Sequence, residues 1–128
     1  MKFNVDKQEN VIVYEILEDK LTSANAPILK SELVLANTEG YNNIIIDLNN
    51  VRFVDSSGLS AILVGNRLCN EVEGIFALSG LNDTIKNLIK ISQLDDILNI
   101  FSTKSDAIEA IQEAESTEEE LEEEDSED

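Results

Sequence analysis

The chain has 128 residues, with 27 Asp and Glu against 9 Lys and Arg, no His, and a formal net charge of −18. A single Cys excludes an internal disulfide and a Cys-pair redox or metal centre, and the lack of His removes Ser-His-Asp and Cys-His catalysis, His metal ligation and His phosphorelay. Such acidity argues against nucleic acid or an anionic membrane as partner and leaves basic protein surfaces open.

Phe3 to Lys7 and Val11 to Leu17 read as two strands around the polar turn Gln8-Glu9-Asn10. Ser23 or Asn25 can cap a first helix with Pro27 in its opening turn, where a missing N–H costs little, and Gly40 ends it. Ile44 to Leu48 is a β-branched run typical of a central strand buried on both faces. A helix follows from about Ser57 to Val72, then a strand over Ile75-Phe76-Ala77-Leu78. Asn82 can cap a helix from Asp83 to about Ile91, and Ile97 to Phe101 is the last strand. Thr103 opens a final helix through about Ala114. The order β-β-α-β-α-β-α-β-α implies a single α/β domain over residues 1–114, with a mixed, mostly parallel sheet of about five strands and about four helices.

Beyond this the composition changes. Residues 113–128 hold 11 acidic residues and no basic one, so residues 1–112 carry the other 16 acids and all 9 bases, net −7. Residues 115–128 are expected to be a disordered acidic tail, since Leu121 alone offers little surface to bury there. No apolar run reaches the ~18 residues of a transmembrane helix, and the N-terminus lacks the apolar core of a signal peptide. The expectation is a cytoplasmic protein without membrane insertion.

The most informative segment runs from Ile46 to Leu59. A strand ends near Asn49 and a loop delivers Asp55-Ser56-Ser57-Gly58 to a helix start. Two hydroxyls and a glycine then lie at the positive end of a helix dipole, where an anion can sit or a serine can itself become one. Asp55 or Ser56 can also act simply as the N-cap, and Gly58 can serve close helix packing. A phosphate on Ser57 would meet unpaired N–H groups and the opposing charge of Asp55. The helix is apolar through its first two turns, so Leu59 and Ile62 are expected in a docking patch beside the serines. Cys69 reads as a small buried hydrophobe.

This segment resembles the signature of the STAS domain, the family of sulphate transporters and anti-sigma factor antagonists. The match runs Asp47-Leu48-Asn49-Asn50-Val51-Arg52-Phe53-Val54-Asp55-Ser56-Ser57-Gly58-Leu59. The stretches Leu81 to Leu88 and Leu94 to Phe101 are similar to the family's later helix and strand, so the resemblance covers about Phe3 to Ile111. Without transporter segments, the chain resembles the free-standing anti-sigma factor antagonist type. The resemblance implies phosphorylation of Ser57, with Ser56 as second choice, by an anti-sigma factor that is a serine/threonine kinase. It also implies reversal by a PPM-type phosphatase, and binding of the anti-sigma factor by the unphosphorylated form. The partner surface it implies comprises Asp55, Ser56, Ser57, Gly58, Leu59, Ile62, Thr22 and Ser23. Many members carry an acidic residue after the Leu near the first helix, where this chain has Leu21-Thr22-Ser23.

The readings that follow are a non-enzymatic regulatory switch without cofactor or metal, or a STAS subunit of another assembly, such as a lipid-transport ABC complex or a stressosome-like scaffold. An enzyme built on Asp47, Asp55 and Ser57 lacks a base for the serine and a Gly-rich phosphate loop.

Overall fold

The computed structural model describes the backbone of residues 1–126 and the side-chain surroundings of residues 1–116. The elements in chain order are β1 (Phe3–Lys7), β2 (Val11–Ile16), β3 (Lys20–Leu21), α1 (Ala26–Thr38), β4 (Asn43–Asp47), β5 (Phe53–Val54), α2 (Ser56–Glu71), β6 (Phe76–Ser79), α3 (Asp83–Ile91), β7 (Asn99–Phe101) and α4 (Lys104–Ser126). Five strands form a mixed sheet in the order β1-β2-β4-β6-β7. The hairpin pairs β1 with β2 antiparallel, Phe3 opposite Ile16, and all later pairings in this sheet are parallel.

Strand alternation explains the layering. On one face Ile12, Tyr14, Ile44, Ile46, Phe76 and Leu78 join Leu29 and Leu33 of α1, Ala61 and Ile62 of α2, and Ile85 and Ile89 of α3. On the other face Val13, Ile45 and Ala77 meet Ala107 and Ile111 of α4. β4 is buried along its whole length, as expected for a strand covered on both sides. Cys69 is buried, and burial pushes its thiol pKa up to about 12, which keeps it an inert core side chain.

Several boundaries differ from the sequence-based expectation. β7 begins at Asn99; Ile97 lies in the preceding turn and is exposed, because Ile97 and Leu98 both donate their N–H to the Leu94 carbonyl. Gly40 ends α1 as expected, adopting φ +94 and donating to the Asn37 carbonyl. Asn25 is the N-cap of α1 by position only. Its side chain accepts from Thr22 N (2.8 Å) and donates to the Lys20 carbonyl (2.8 Å), so it ties up the β3–α1 loop instead of capping.

The last helix continues to Ser126, well beyond Ala114. Glu, Ala and Leu are good helix formers, and extending a helix already packed on the sheet needs no new nucleus. The side chains from residue 117 onward lie outside the described residues, and with them the expectation of a free acidic tail. The first part of the acidic segment is anchored: Glu115 accepts from the amide groups of Asn43, which is 3% exposed, and of Asn10.

Candidate functional site at the start of α2

Two very short strands build the site. β3 and β5 pair in parallel, Lys20 opposite Phe53 and Leu21 opposite Val54. Arg52 N and Phe53 N donate to the Asp19 carbonyl, and Asp55 N donates to the Leu21 carbonyl at 3.1 Å. The turn leading into α1 and the turn leading into α2 are thus fixed to each other by backbone bonds.

Asp55 is the N-cap of α2. Its Oδ1 accepts from Gly58 N at 2.9 Å, and its carbonyl accepts from Leu59 N. Its Oδ2 accepts from Ser23 N at 3.3 Å, so one carboxylate joins both helix entries. Gly58 is buried: a Cβ there would lie 2.4 Å from the Leu21 carbonyl oxygen and 2.8 Å from Val54 Cγ1. Only glycine lets α2 approach the β3 backbone this closely, which confirms the packing role foreseen for it.

The structure brings Ser23, Ser56 and Ser57 together. They line a polar groove of about 260 Å3 between α1 and α2, with Ser60, Ala26, Pro27 and Lys30. Ser56 is exposed and Ser57 half-buried; Thr22 is half-buried at the base of the loop. The Ser56 and Ser57 N–H groups take no partner among the described residues, so the first turn of α2 keeps two donors for an anion.

Of the expected partner surface, Ile62 and Gly58 are buried, while Leu59 keeps partial exposure. Ile62 is 0% exposed and belongs to the core between α2 and the sheet; Leu59 is half-buried against the same core. Gly58, also buried, acts through packing and not as surface. Of the apolar residues in the first turns of α2, Ala61 and Ile62 are covered by the core, while Leu59, Leu63 and Val64 keep partial exposure. More strongly exposed apolar surface lies just before the serines. Phe53 (46% exposed) and Ile91 (80% exposed) flank a groove of about 320 Å3, also lined by Val54, Ile85 and Leu88.

Sequence reasoning missed Lys30 and Ser60. The signal was present in part: Pro27 and Lys30, and Ser57 and Ser60, are each three apart and share a helix face. That these two faces oppose one another follows only from the packing of α1 on α2.

A family model described as STAS domain matches residues 2–107. The TM1081 homologue of Thermotoga neapolitana, named as a candidate anti-sigma factor antagonist, is 35% identical over 74 residues. That alignment covers 58% of this chain and 66% of the relative, just under two thirds of its length. The crystal structure of Thermotoga maritima TM1081 superposes with a TM-score of 0.78 at 27% identity, covering 86% of this chain and 94% of the other. The phosphorylated form of the Bacillus cell fate determinant SpoIIAA shares the fold, with a TM-score of 0.69 at 20% identity over 86% of this chain and 99% of the other. No helix among the described residues is long and apolar enough to cross a membrane. With the family model spanning most of its length and its α2 entry built around Asp55-Ser56-Ser57-Gly58, the chain belongs to the STAS domain family.

Proposed function

We propose that this chain is a cytoplasmic, non-enzymatic anti-sigma factor antagonist that works by partner switching. The unphosphorylated form binds an anti-sigma factor with serine kinase activity and so frees the sigma factor. Phosphorylation of Ser57 ends that binding, and a PPM-type phosphatase restores it. The observation that carries this reading is the half-buried Ser57 hydroxyl in a polar groove, on a helix start whose cap is already supplied by Asp55. Ser57 is therefore not needed to hold the helix and is free to change its chemistry. The names of the relatives, and the existence of a phosphorylated form of a structural neighbour, support the same reading.

The chemistry asked of the chain is passive. The Ser57 Oγ attacks the γ-phosphorus of ATP held by the kinase, the new O–P bond forms, the bond to the bridging oxygen breaks, and ADP leaves. The hydroxyl proton passes to a base on the kinase. The phosphatase later uses water to return serine and inorganic phosphate. A phosphoserine carries about −1.5 to −2 charges at neutral pH. Placed two residues from Asp55, it makes the surface of Ser23, Ser56 and Ser57 anionic and costly to desolvate, which is sufficient to weaken a docked partner.

Incubation with the cognate kinase and ATP should add one phosphate, mapped by mass spectrometry to Ser57, and Ser57→Ala should accept none. Phosphate on Ser56 alone would move the assignment. No phosphate on either serine would favour a permanent STAS subunit of another assembly.

A further inference from the structure

Among the described residues Lys30 is the one charged residue lining the groove of Ser56 and Ser57. Acidic residues outnumber basic ones 27 to 9, yet Lys30 has no acid at the four helix-neighbour positions, which are Ala26, Pro27, Leu33 and Val34. Among the described residues the ion pairs use Lys7, Arg52, Arg67 and Lys104; Lys30, like Lys2, Lys20, Lys86 and Lys90, takes part in none. It is half-buried and lines the groove that also holds Ser56, Ser57 and Ser60. Every other residue lining that groove is uncharged.

We propose that Lys30 is the built-in counter-charge for a phosphate on Ser57, holding it in cis across the groove between α1 and α2. The inference rests on the reading of Ser57 as the modified residue and adds how the modified state is held. A phosphoryl group brings three acceptor oxygens and a charge that Lys30 can meet as a point cation. The groove, about 260 Å3, is several times the ~30 Å3 share of a water molecule and has room for it. The two unpartnered N–H groups of Ser56 and Ser57 approach from the α2 side and Lys30 from the α1 side. A phosphate so held sits within the groove and takes up part of the hydroxyl-lined surface that a partner would otherwise use. Phosphorylation then acts by occupying the site as well as by repulsion.

The charges on the elements packed round Ser57 are Lys30 and Glu32 on α1, Asp55 at the cap of α2 and Lys20 on β3, with the paired Asp19 and Arg52 flanking β3 and β5. The Thr22–Asn25 turn brings none, and the next along α2 is Arg67. Lys30 favours the dianionic phosphate and Asp55 opposes it, with the N–H donors adding to the lysine.

The test uses protein carrying phosphoserine at position 57, installed during translation so that no kinase is needed. The phosphorus-31 chemical shift is followed against pH. The midpoint should lie below the ordinary value of about 6 for a phosphoserine, and Lys30→Gln should raise it by about half a unit or more. Lys30→Arg should keep the midpoint low, and Lys90→Gln, in the last turn of α3, should leave it unchanged. The melting midpoint of each unphosphorylated variant checks that folding is intact. Equal midpoints in the parent and in Lys30→Gln would overturn the role of Lys30 while leaving the kinase mapping of Ser57 untouched. Conversely, a failed kinase mapping would remove the physiological phosphate without altering this titration.

Discussion

The starts of α2 and α3 use one cap and arrive at different surfaces. In each an Asx side chain accepts from the N–H three residues on: Asp55 from Gly58 at 2.9 Å and Asn82 from Ile85 at 2.8 Å. In each the second helical residue carries a hydroxyl, Ser57 in α2 and Thr84 in α3. There the likeness stops. The α3 start already has Asp83 in its first turn to complement the helix dipole, and Thr84 borders an apolar groove. The α2 start has no acid inside its first turn, a buried glycine at the third position, and Lys30 across a polar groove. The α2 start differs from the α3 start in its setting: Asp55 supplies both the cap and the negative charge at the helix end, and the Ser57 hydroxyl faces a polar groove that also holds a cation.

Substitutions can break this comparison, beginning with the largest effect. Gly58→Ala forces a Cβ against the Leu21 carbonyl and Val54, and overpacking of this kind costs about 3 kcal/mol, with a melting midpoint lower by roughly 10 °C. A neutral Gly58→Ala would show that the α2 entry is loose. Asp55→Ala removes two side-chain acceptor contacts, to Gly58 N and Ser23 N, and should cost about 2 kcal/mol in chemical denaturation. Asn82→Ala, which loses one N-cap bond and a donor to the Arg52 carbonyl, should cost about 1 kcal/mol. The reverse order would mean that the bond to Ser23 adds nothing. Ser57→Ala and Thr84→Ala should each change stability by less than about 0.5 kcal/mol, since neither side chain caps its helix. Of the two positions, only 57 should gain phosphate from the kinase. Smallest of all, ending the chain at Ser116 should shift the melting midpoint by no more than about 2 °C. A larger drop would show that the acidic extension of α4 packs on the domain.

What could be read from the sequence divides along physical lines. The Ile44-Ile45-Ile46 run at β4, the cap residues Asp55 and Asn82, and the left-handed Gly40 each carry a strong local signal, and each stands where expected. β3 and β5 are two residues long, too short for any periodicity, yet their pairing is what sets the Thr22–Ser23 turn beside Asp55. The exposure of the α2 residues was legible in part. Ser56, Ser57 and Ser60 mark one face of its first two turns, and Ile62, on the opposite side at 100° per residue, proves to be core while Leu59 stays half-buried. Lys30 becomes a site residue only through the contact between α1 and α2, a tertiary fact without a local signature.

The central claim is that one phosphate at Ser57 reverses partner binding, and calorimetry tests it directly. The anti-sigma factor kinase is titrated with the unmodified protein and with protein carrying phosphoserine at position 57. At least a tenfold weaker affinity for the phosphorylated form, about 1.4 kcal/mol, is the predicted result. Equal affinities for the two forms would contradict the account.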